Sequence, residues 1–205
     1  MLGGRKEHWE QVFIEKDADA VSWFQESPEP SLGLIGQFDN KPAAPLIDIG
    51  AGASLLVDKL FERGFGDITL LDISEAALAK TRARLGRLSH EINYIVTDIT
   101  KWSPAHKYHL WHDRAVFHFL VTRDDQDAYI KALEKASSEG SIVIMGTFAL
   151  DGPEKCSGLP VQKYSGQTLQ ERLGPGFELL KTLDHTHLTP AQRQQKFTFS
   201  VFKRR

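Results

Sequence analysis

Three carboxylates and two glycines stand at the ends of apolar segments, where they could hold a nucleotide. Asp48 precedes a turn that contains Gly50 and Gly52, Asp72 ends the next apolar segment, and Asp98 ends the third. Glycines let a ligand approach the backbone closely, and the N-terminus of a following helix offers unpaired N–H groups. Asp72 lies about twenty residues past the glycines, the spacing at which a carboxylate can accept hydrogen bonds from ribose hydroxyls. The spacing predicts a nucleotide site; the alternative is a plain strand-turn-helix corner.

A second set of candidate residues follows the fourth apolar segment. In an open parallel sheet, ligands bind outside the carboxyl ends of the strands, so residues 112–118 should face the reacting group. A general base works best when its pKa lies near the working pH, which favours a histidine over Tyr164. Side chains alternate along a strand, so His112 and Asp113 should point in opposite directions, and the loop residue His118 is freer to move. We expect Asp113 to be the orienting group and His118 to be the general base that takes a proton from the substrate. Alternatively, His118 only packs, and the substrate arrives already deprotonated.

Metal and hydrolase sites are disfavoured by what accompanies the histidines and serines. His185 and His187 form an H-x-H pair, but no C-x-x-C or H-E-x-x-H motif occurs with them, so no metal site is expected. No G-x-S-x-G elbow is present to activate a serine. Cys156 is the single cysteine, which excludes an internal disulfide and indicates a reducing cytoplasmic compartment.

Length and composition bound the class of protein. The 205 residues, with 25% charged and 41% hydrophobic side chains, suit one α/β domain over residues 1–205. A net charge of −2 argues against a nucleic-acid surface as the main partner. No apolar run is long enough to span a bilayer, and the first five residues do not read as a signal peptide. We therefore expect neither a nucleic-acid nor a membrane partner.

Hydrophobic periodicity predicts helices that alternate with strands, followed by a terminal antiparallel hairpin. The segment from Ser141 to Phe148 is almost continuously apolar, which is typical of a central parallel strand buried on both faces. The other strands are predicted at 46–49, 67–72, 91–98, 108–113, 177–187 and 197–202, and the helices at 31–35, 53–63, 74–85, 122–140 and 166–173.

The glycine turn resembles the first motif of a known family. Asp48-Ile49-Gly50-Ala51-Gly52 is similar to the D-x-G-x-G motif of class I S-adenosylmethionine-dependent methyltransferases, and Leu55 stands where a dinucleotide fingerprint has its third glycine. The resemblance implies a Rossmann-like fold, a seven-stranded, mostly parallel sheet with an antiparallel last strand and helices on both faces. It also implies S-adenosyl-L-methionine as cofactor.

The same resemblance assigns roles to the cofactor residues. It places Gly50 and Gly52 under the methionine portion, with Asp48 organising the loop and the amino group. It places Asp72 and the adjacent Ile73 at the ribose. By the same resemblance, Asp98 accepts from the adenine amino group and Ile99 covers the ring. The residues expected to contact the cofactor are therefore Asp48, Gly50, Gly52, Asp72, Ile73, Asp98 and Ile99.

Residues 1–28, which we call the leader, carry more aromatic side chains than a solvated segment needs. Trp9 and Trp23 resemble the W-x(n)-W/F leader of small methyltransferases that act on thiols, metalloids or protein lysines. The resemblance implies that the leader is a lid and that both tryptophans lie over the cofactor. The alternative is a helix that only extends the core.

The acceptor is less well defined by the sequence. No N-P-P-Y or D-P-P-Y motif is present, so methylation of nucleic-acid bases is disfavoured. Residues 113–117 resemble the D-K-G-T-[LFW]-D-A element of methyltransferase-like lysine methyltransferases, with departures at Arg114, Ala115 and His118. The aromatic leader favours a small-molecule thiol, amine or metalloid acceptor. A protein lysine methyltransferase and a non-catalytic nucleotide-binding module are the alternatives.

Overall fold

The computed structural model describes residues 4–38 and 41–205. Seven strands form one sheet, and two very short strands form a separate pair. In chain order the strands are β1 (Leu46–Ile49), β2 (Ile68–Asp72), β3 (Ile92–Val96), β4 (Leu110–Arg114), β5 (Ile142–Phe148), β6 (Lys155–Cys156), β7 (Leu159–Pro160), β8 (Phe177–Leu188) and β9 (Gln194–Arg204).

The sheet has the strand order β3-β2-β1-β4-β5-β9-β8. Strands β1 to β5 are parallel, and β9 pairs antiparallel with both β5 and β8. This is the predicted Rossmann-like fold with an antiparallel last strand, and the prediction is confirmed. The β6/β7 pair is new, because segments of two residues carry no readable periodicity.

In the described residues six α-helices flank the sheet, and side-chain caps set several of their ends. The helices are α1 (Arg5–Glu15), α2 (Ser31–Phe38), α3 (Leu56–Glu62), α4 (Glu75–Leu85), α5 (Arg123–Ala136) and α6 (Gly166–Leu173). Ser74 and Thr122 accept hydrogen bonds from backbone N–H groups as the N-caps of α4 and α5. Helix α3 begins three residues later than predicted, because the Ser54 hydroxyl accepts from the N–H of Leu56 and forms a local turn.

Buried side chains cover both faces of the sheet and leave polar groups at its carboxyl edge. Successive side chains of a strand point to opposite faces. Leu46 and Leu110 therefore pack on the face covered by α2 and α3, whereas Ile47 and Trp111 pack on the face covered by α5 and α6. Asp48 pairs in register with His112, so both side chains lie on the first of these faces.

Residues 4–28 of the leader lie across the carboxyl ends of the strands. Helix α1 packs against α4, and the Glu10 carboxylate accepts from the Ser74 hydroxyl at 2.8 Å and from the Ala76 N–H at 3.2 Å. Farther along the leader, the His187 ring binds the carbonyl of Ser22 at 2.8 Å. Within residues 4–38 and 41–205, no helix is both long and apolar enough to cross a membrane.

Candidate active site

A cavity opens between the leader and the carboxyl ends of β1, β2 and β4. We call the part around Gly50, Gly52, Asp72 and Asp98 the glycine-turn end, and the part around Ser31, His112, Arg114 and Cys156 the Arg114 end. All nine residues predicted to contact the cofactor line this cavity: Trp9, Trp23, Asp48, Gly50, Gly52, Asp72, Ile73, Asp98 and Ile99. The structure thus brings them together, as their predicted roles require.

The glycine turn has a backbone that only glycine adopts easily. Gly50 and Gly52 have φ angles of +66° and +55°. A Cβ on Gly50 would lie 2.1 Å from Cγ2 of Val116, which leaves no space for a side chain. The N–H groups of Gly50 and Ala51 both donate to the Leu71 carbonyl, at 2.7 and 3.1 Å. The end of β2 therefore holds the turn in place.

Asp72 joins the glycine turn to the start of α4. One carboxylate oxygen accepts from the Gly52 N–H and the other from the Ser74 N–H, each at 2.8 Å. Burial raises the pKa of Asp72 to about 6. Each carboxylate oxygen has a second lone pair, so the side chain can still accept from ribose hydroxyls.

Asp98 lies where the leader crosses the cavity. Its Oδ1 accepts from the Thr100 N–H and hydroxyl, at 3.0 and 2.8 Å. Its Oδ2 lies 3.5 Å from the Arg5 guanidinium, which also binds Asp125 at 3.0 and 3.2 Å. The first helix of the leader is thus tied to the carboxylate predicted to bind adenine.

Aromatic rings of the leader cover the glycine turn. Trp9 contacts Phe119 and Trp23 edge to face, with ring centroids 5.0 and 5.6 Å apart. Phe13 contacts Trp23 at 6.0 Å, and its ring would lie 3.2 Å from a Cβ on Gly52. Trp9, Phe13 and Trp23 all line the cavity. This placement is compatible both with a lid and with plain packing.

Three buried polar side chains form a linear array at the Arg114 end, which we call the polar array. Asp48 Oδ1 lies 2.6 Å from His112 Nδ1, and His112 Nε2 lies 2.8 Å from Ser31 Oγ. All three side chains are buried. An ionised Asp48 accepts from Nδ1–H, which leaves Nε2 to accept from the Ser31 hydroxyl. The array could therefore move a proton from the cavity to the imidazole.

Arg114 lines the cavity beside the polar array. Its Nη1 donates to the Trp23 carbonyl at 2.9 Å, and its guanidinium lies 5.2 Å from the Phe197 ring centroid. Nε and Nη2 are buried and have no hydrogen-bond partner within residues 4–38 and 41–205. Burial lowers the pKa of Arg114 to about 10 and raises the pKa of the nearby Cys156 thiol to about 11. At neutral pH the arginine is thus charged and the thiol is protonated.

The structure does not bring Asp113 to the cavity. Its carboxylate accepts from the N–H groups of Val116 and Phe117, at 2.9 and 3.1 Å, and from the Tyr129 hydroxyl at 2.5 Å. Burial raises the pKa of Asp113 to about 6. The side chain points away from His112, as strand alternation predicts. Asp113 therefore holds the loop after β4, and among the described hydrogen bonds none joins it to His118.

His118 is likewise outside the cavity lining. Its ring is fully buried between Phe119 and Phe148, at centroid distances of 4.5 and 4.8 Å, and Nδ1 accepts from the Phe148 N–H at 3.3 Å. Burial, with a smaller effect of Arg114, lowers the pKa of His118 to about 3. This geometry does not suit the general base that we expected.

Sequence reasoning did not single out Ser31, and it weighed His112 below His118. A signal for His112 exists in the matching patterns Leu46-x-Asp48 and Leu110-x-His112, which place two polar groups on one face of adjacent strands. No local signal points to Ser31. Within residues 4–38 and 41–205, no group of three or more His, Cys, Asp or Glu side chains could hold a metal ion.

Comparison with known families and proteins shows what this chain is similar to. A model of a methyltransferase domain matches residues 46–140. Malonyl-(acyl-carrier protein) O-methyltransferase 2 from Ilyobacter polytropus is 25% identical over 141 residues, which are 66% of this chain and 51% of that protein. The eEF1A lysine and N-terminal methyltransferase of Mus musculus is 23% identical over 145 residues, which are 70% of this chain and 20% of that protein. The chain thus spans about half or less of the length of these relatives.

Solved structures share the fold over nearly the whole chain. A SAM-dependent methyltransferase from Anabaena variabilis superposes with a TM-score of 0.76 at 15% identity and covers 98% of this chain and 95% of its own. The N-methyltransferase NodS from Bradyrhizobium japonicum, in complex with S-adenosyl-L-homocysteine, has a TM-score of 0.68 at 16% identity, with 95% and 97% covered. The matched domain and the shared fold confirm the resemblance seen in the glycine turn: residues 46–140 match a methyltransferase domain, and the chain has the fold of class I S-adenosyl-L-methionine-dependent methyltransferases.

Proposed function

We propose that the protein transfers a methyl group from S-adenosyl-L-methionine to a small-molecule thiol, amine or metalloid acceptor. One observation carries the proposal: a single cavity, covered by leader rings, is lined both by the predicted cofactor residues and by the polar array, and Asp48 belongs to both sets. In this proposal the chain acts as one domain whose leader, including Trp9 and Trp23, closes over the cofactor.

The glycine-turn end would hold the cofactor. Gly50 and Gly52 would lie under its methionine portion and Asp72 would accept from the ribose hydroxyls, with Ile73 beside it. Asp98 and Ile99 would contact the adenine. The fixed hydrogen bonds of Asp72 to the backbone support this assignment, because a carboxylate that is already oriented loses little freedom when it binds a ligand.

The Arg114 end would position the acceptor and take its proton. When bound, the cofactor supplies an electrophilic methyl group on a sulfonium. Ser31 Oγ would receive the acceptor's proton as its own proton passes to His112 Nε2, and Asp48 would stabilise the imidazolium formed. The deprotonated acceptor is then held in line with the methyl group by the cavity walls. We thus replace His118 by His112 as the proposed base.

A small acceptor is better supported than a protein lysine, although some relatives are named as lysine methyltransferases. Arg114 places a positive charge at the Arg114 end, and that charge would repel a lysine ammonium group. Asp48, a carboxylate that lines the same end, is already bonded to His112. An approaching ammonium would therefore meet a cation rather than a free carboxylate.

Two measurements test the proposal. Calorimetry with S-adenosyl-L-methionine, S-adenosyl-L-homocysteine and NAD should show binding of the first two, and tighter binding of NAD would contradict the assignment. A tritium-methyl transfer screen should then label small thiols, amines or arsenite. Label in lysate proteins instead would favour the lysine alternative, and cofactor binding without transfer to any acceptor would favour the non-catalytic module.

A further inference from the structure

The guanidinium of Arg114 is held in place but only partly bonded. Nη1 is fixed by the Trp23 carbonyl at 2.9 Å, and the ring of Phe197 lies 5.2 Å from the guanidinium carbon. Nε and Nη2 are buried, and neither has a hydrogen-bond partner among the residues that the structure describes. Buried polar groups in native proteins are nearly always bonded, and a charged group without its hydrogen bonds is costly. This pattern indicates a partner that binds from outside the chain.

The two free nitrogens define the shape of that partner. Nε–H and Nη2–H lie on one edge of the planar guanidinium and point in nearly parallel directions. Such an edge matches the two oxygens of a carboxylate, which accept both hydrogen bonds side by side. Since Trp23 occupies the Nη1 side, the free edge offers a single bidentate site for one planar anion.

No carboxylate of the described residues bonds the guanidinium of Arg114 directly. Asp48 is the carboxylate whose charge acts on Arg114, and its Oδ1 is bonded to His112. Burial keeps the Cys156 thiol protonated, with a pKa raised to about 11. The rings of His118, His185 and His187, whose pKa values are lowered first by burial and also by the charge of Arg114, are neutral or cationic and cannot pair with the guanidinium as a carboxylate would.

We infer that Arg114 binds a carboxylate of the methyl acceptor, so that the substrate is a small carboxylic acid that also carries the thiol or amine to be methylated. This inference rests on the proposed function. Ser31, His112 and Arg114 line the same end of the cavity, so a carboxylate on the guanidinium edge leaves the other end of a short molecule beside the Ser31 hydroxyl. Arg114 thereby selects the acceptor and fixes its orientation.

The test compares acids with their amides on the protein saturated with S-adenosyl-L-homocysteine. The probes are 3-mercaptopropionate and 4-mercaptobenzoate, each with its matched amide, together with inorganic phosphate. Calorimetry should show each acid binding at least about tenfold more tightly than its amide, because the charge-assisted bonds exist only for the acid. Equal binding of acids and amides, or no binding of either, would overturn the inference; tighter binding of phosphate than of the acids would overturn the carboxylate assignment.

Two variants connect the preference to the guanidinium edge. Arg114→Gln should remove the difference between acid and amide, and Arg114→Lys should keep only part of it, because an ammonium has the charge but not the fork. Affinity for S-adenosyl-L-homocysteine reports whether each variant is folded, and the wild-type comparison stands even where a variant is not. A failure of the proposed function would look different: the wild type would not bind S-adenosyl-L-methionine, or would transfer no label to any acceptor.

Discussion

At the glycine-turn end of the cavity the carboxylates are held by backbone N–H groups, whereas at the Arg114 end the polar side chains hold one another. Asp72 accepts from Gly52 and Ser74, and its pose is fixed by the chain itself. In contrast, His112 depends on side chains from β1 and α2. The first end is thus fixed by local backbone groups, whereas the second depends on side chains that distant elements bring together.

The largest effect is expected where the backbone itself makes the site. Gly50→Ala should abolish measurable binding of S-adenosyl-L-homocysteine. Its Cβ would overlap Val116, at a cost of about 1–3 kcal/mol for overpacking. The positive φ of +66° adds about 1–2 kcal/mol. Calorimetry measures the loss of cofactor binding, and chemical denaturation measures the loss of stability.

Gly64→Ala is the matched control for this substitution. Gly64 also has a positive φ, +81°, but no atom of residues 4–38 and 41–205 outside its chain neighbours lies within 4 Å of the place that a Cβ would take. The control should lower the free energy of unfolding by the backbone contribution alone and leave cofactor affinity as in the wild type. Cofactor binding by Gly50→Ala equal to that of Gly64→Ala would contradict the role of the turn.

At the Arg114 end, the polar array should affect turnover rather than cofactor binding. His112→Gln should lower kcat by about 10²–10⁴-fold, the usual contribution of a general base, while affinity for S-adenosyl-L-homocysteine changes little. Ser31→Ala removes the hydroxyl that faces the cavity and should lower kcat in the same direction. Both are measured with the acceptor found in the transfer screen.

His118→Gln decides between the two histidines. Because the pKa of His118 is lowered to about 3, this ring does not titrate between pH 6 and 9, and the pH profile of turnover should keep its wild-type shape. Loss of ring packing against Phe119 and Phe148 should lower the free energy of unfolding instead. A shifted pH profile in His118→Gln, with none in His112→Gln, would return His118 to the mechanism.

Removing the charge of Asp72 tests the glycine-turn end of the cavity. Asp72→Asn should weaken binding of S-adenosyl-L-homocysteine by about ten- to hundredfold, because bonds to a charged acceptor are worth about 1.5–3 kcal/mol. The pKa of Asp72 is raised from 3.8 to about 6, so wild-type affinity should fall as the pH drops through about 6 and the carboxylate becomes protonated. In Asp72→Asn this pH dependence should disappear.

The stability of the fold should depend on the charge of Asp72 with the opposite sign. Since the folded pKa of Asp72 exceeds the unfolded value, its contribution to stability is full below pH 3.8 and is lost as the pH rises to about 6.

Asp151→Asn is the control for the affinity measurement. It is the same chemical change at an exposed residue away from the cavity and should leave cofactor affinity unchanged. Unaltered cofactor affinity in a folded Asp72→Asn protein would refute the ribose assignment.

The smallest effect is expected in the leader, which touches both ends of the cavity. Glu10→Gln weakens the bonds from Ser74 and Ala76 to α1, and we expect a few-fold loss of affinity for S-adenosyl-L-homocysteine. Glu15→Gln, at the exposed end of the same helix, is the control. Hydrogen exchange should show added protection of residues 5–25 on binding. Equal protection with and without S-adenosyl-L-homocysteine would favour plain packing over a lid.

Local patterns predicted most of the fold correctly. The all-buried β5 and the bounds of α6 matched their predictions, because burial on both faces and a capped amphipathic turn leave clear signatures. Helix α5 ends at Ala136 instead of Gly140, since Ser137 adopts an extended backbone and its hydroxyl donates to the Leu133 carbonyl. Such side-chain bonds at helix ends compete with the helical pattern and are hard to read from neighbours alone.

The sequence by itself determined the fold and the residues of the glycine-turn end, because Gly50 and Gly52 follow β1, Asp72 ends β2 and Asp98 follows β3, and the apolar residues of these strands reveal them. Only the tertiary structure decided the Arg114 end. It showed that Asp113 and His118 lie outside the cavity lining and that His112 lies inside it. It also brought Ser31 to His112 across 81 residues of chain and left one edge of Arg114 without a partner among the described parts of the chain. The physical reason is that periodicity is set by neighbouring residues, whereas the contacts of a buried polar side chain depend on which distant elements pack against it.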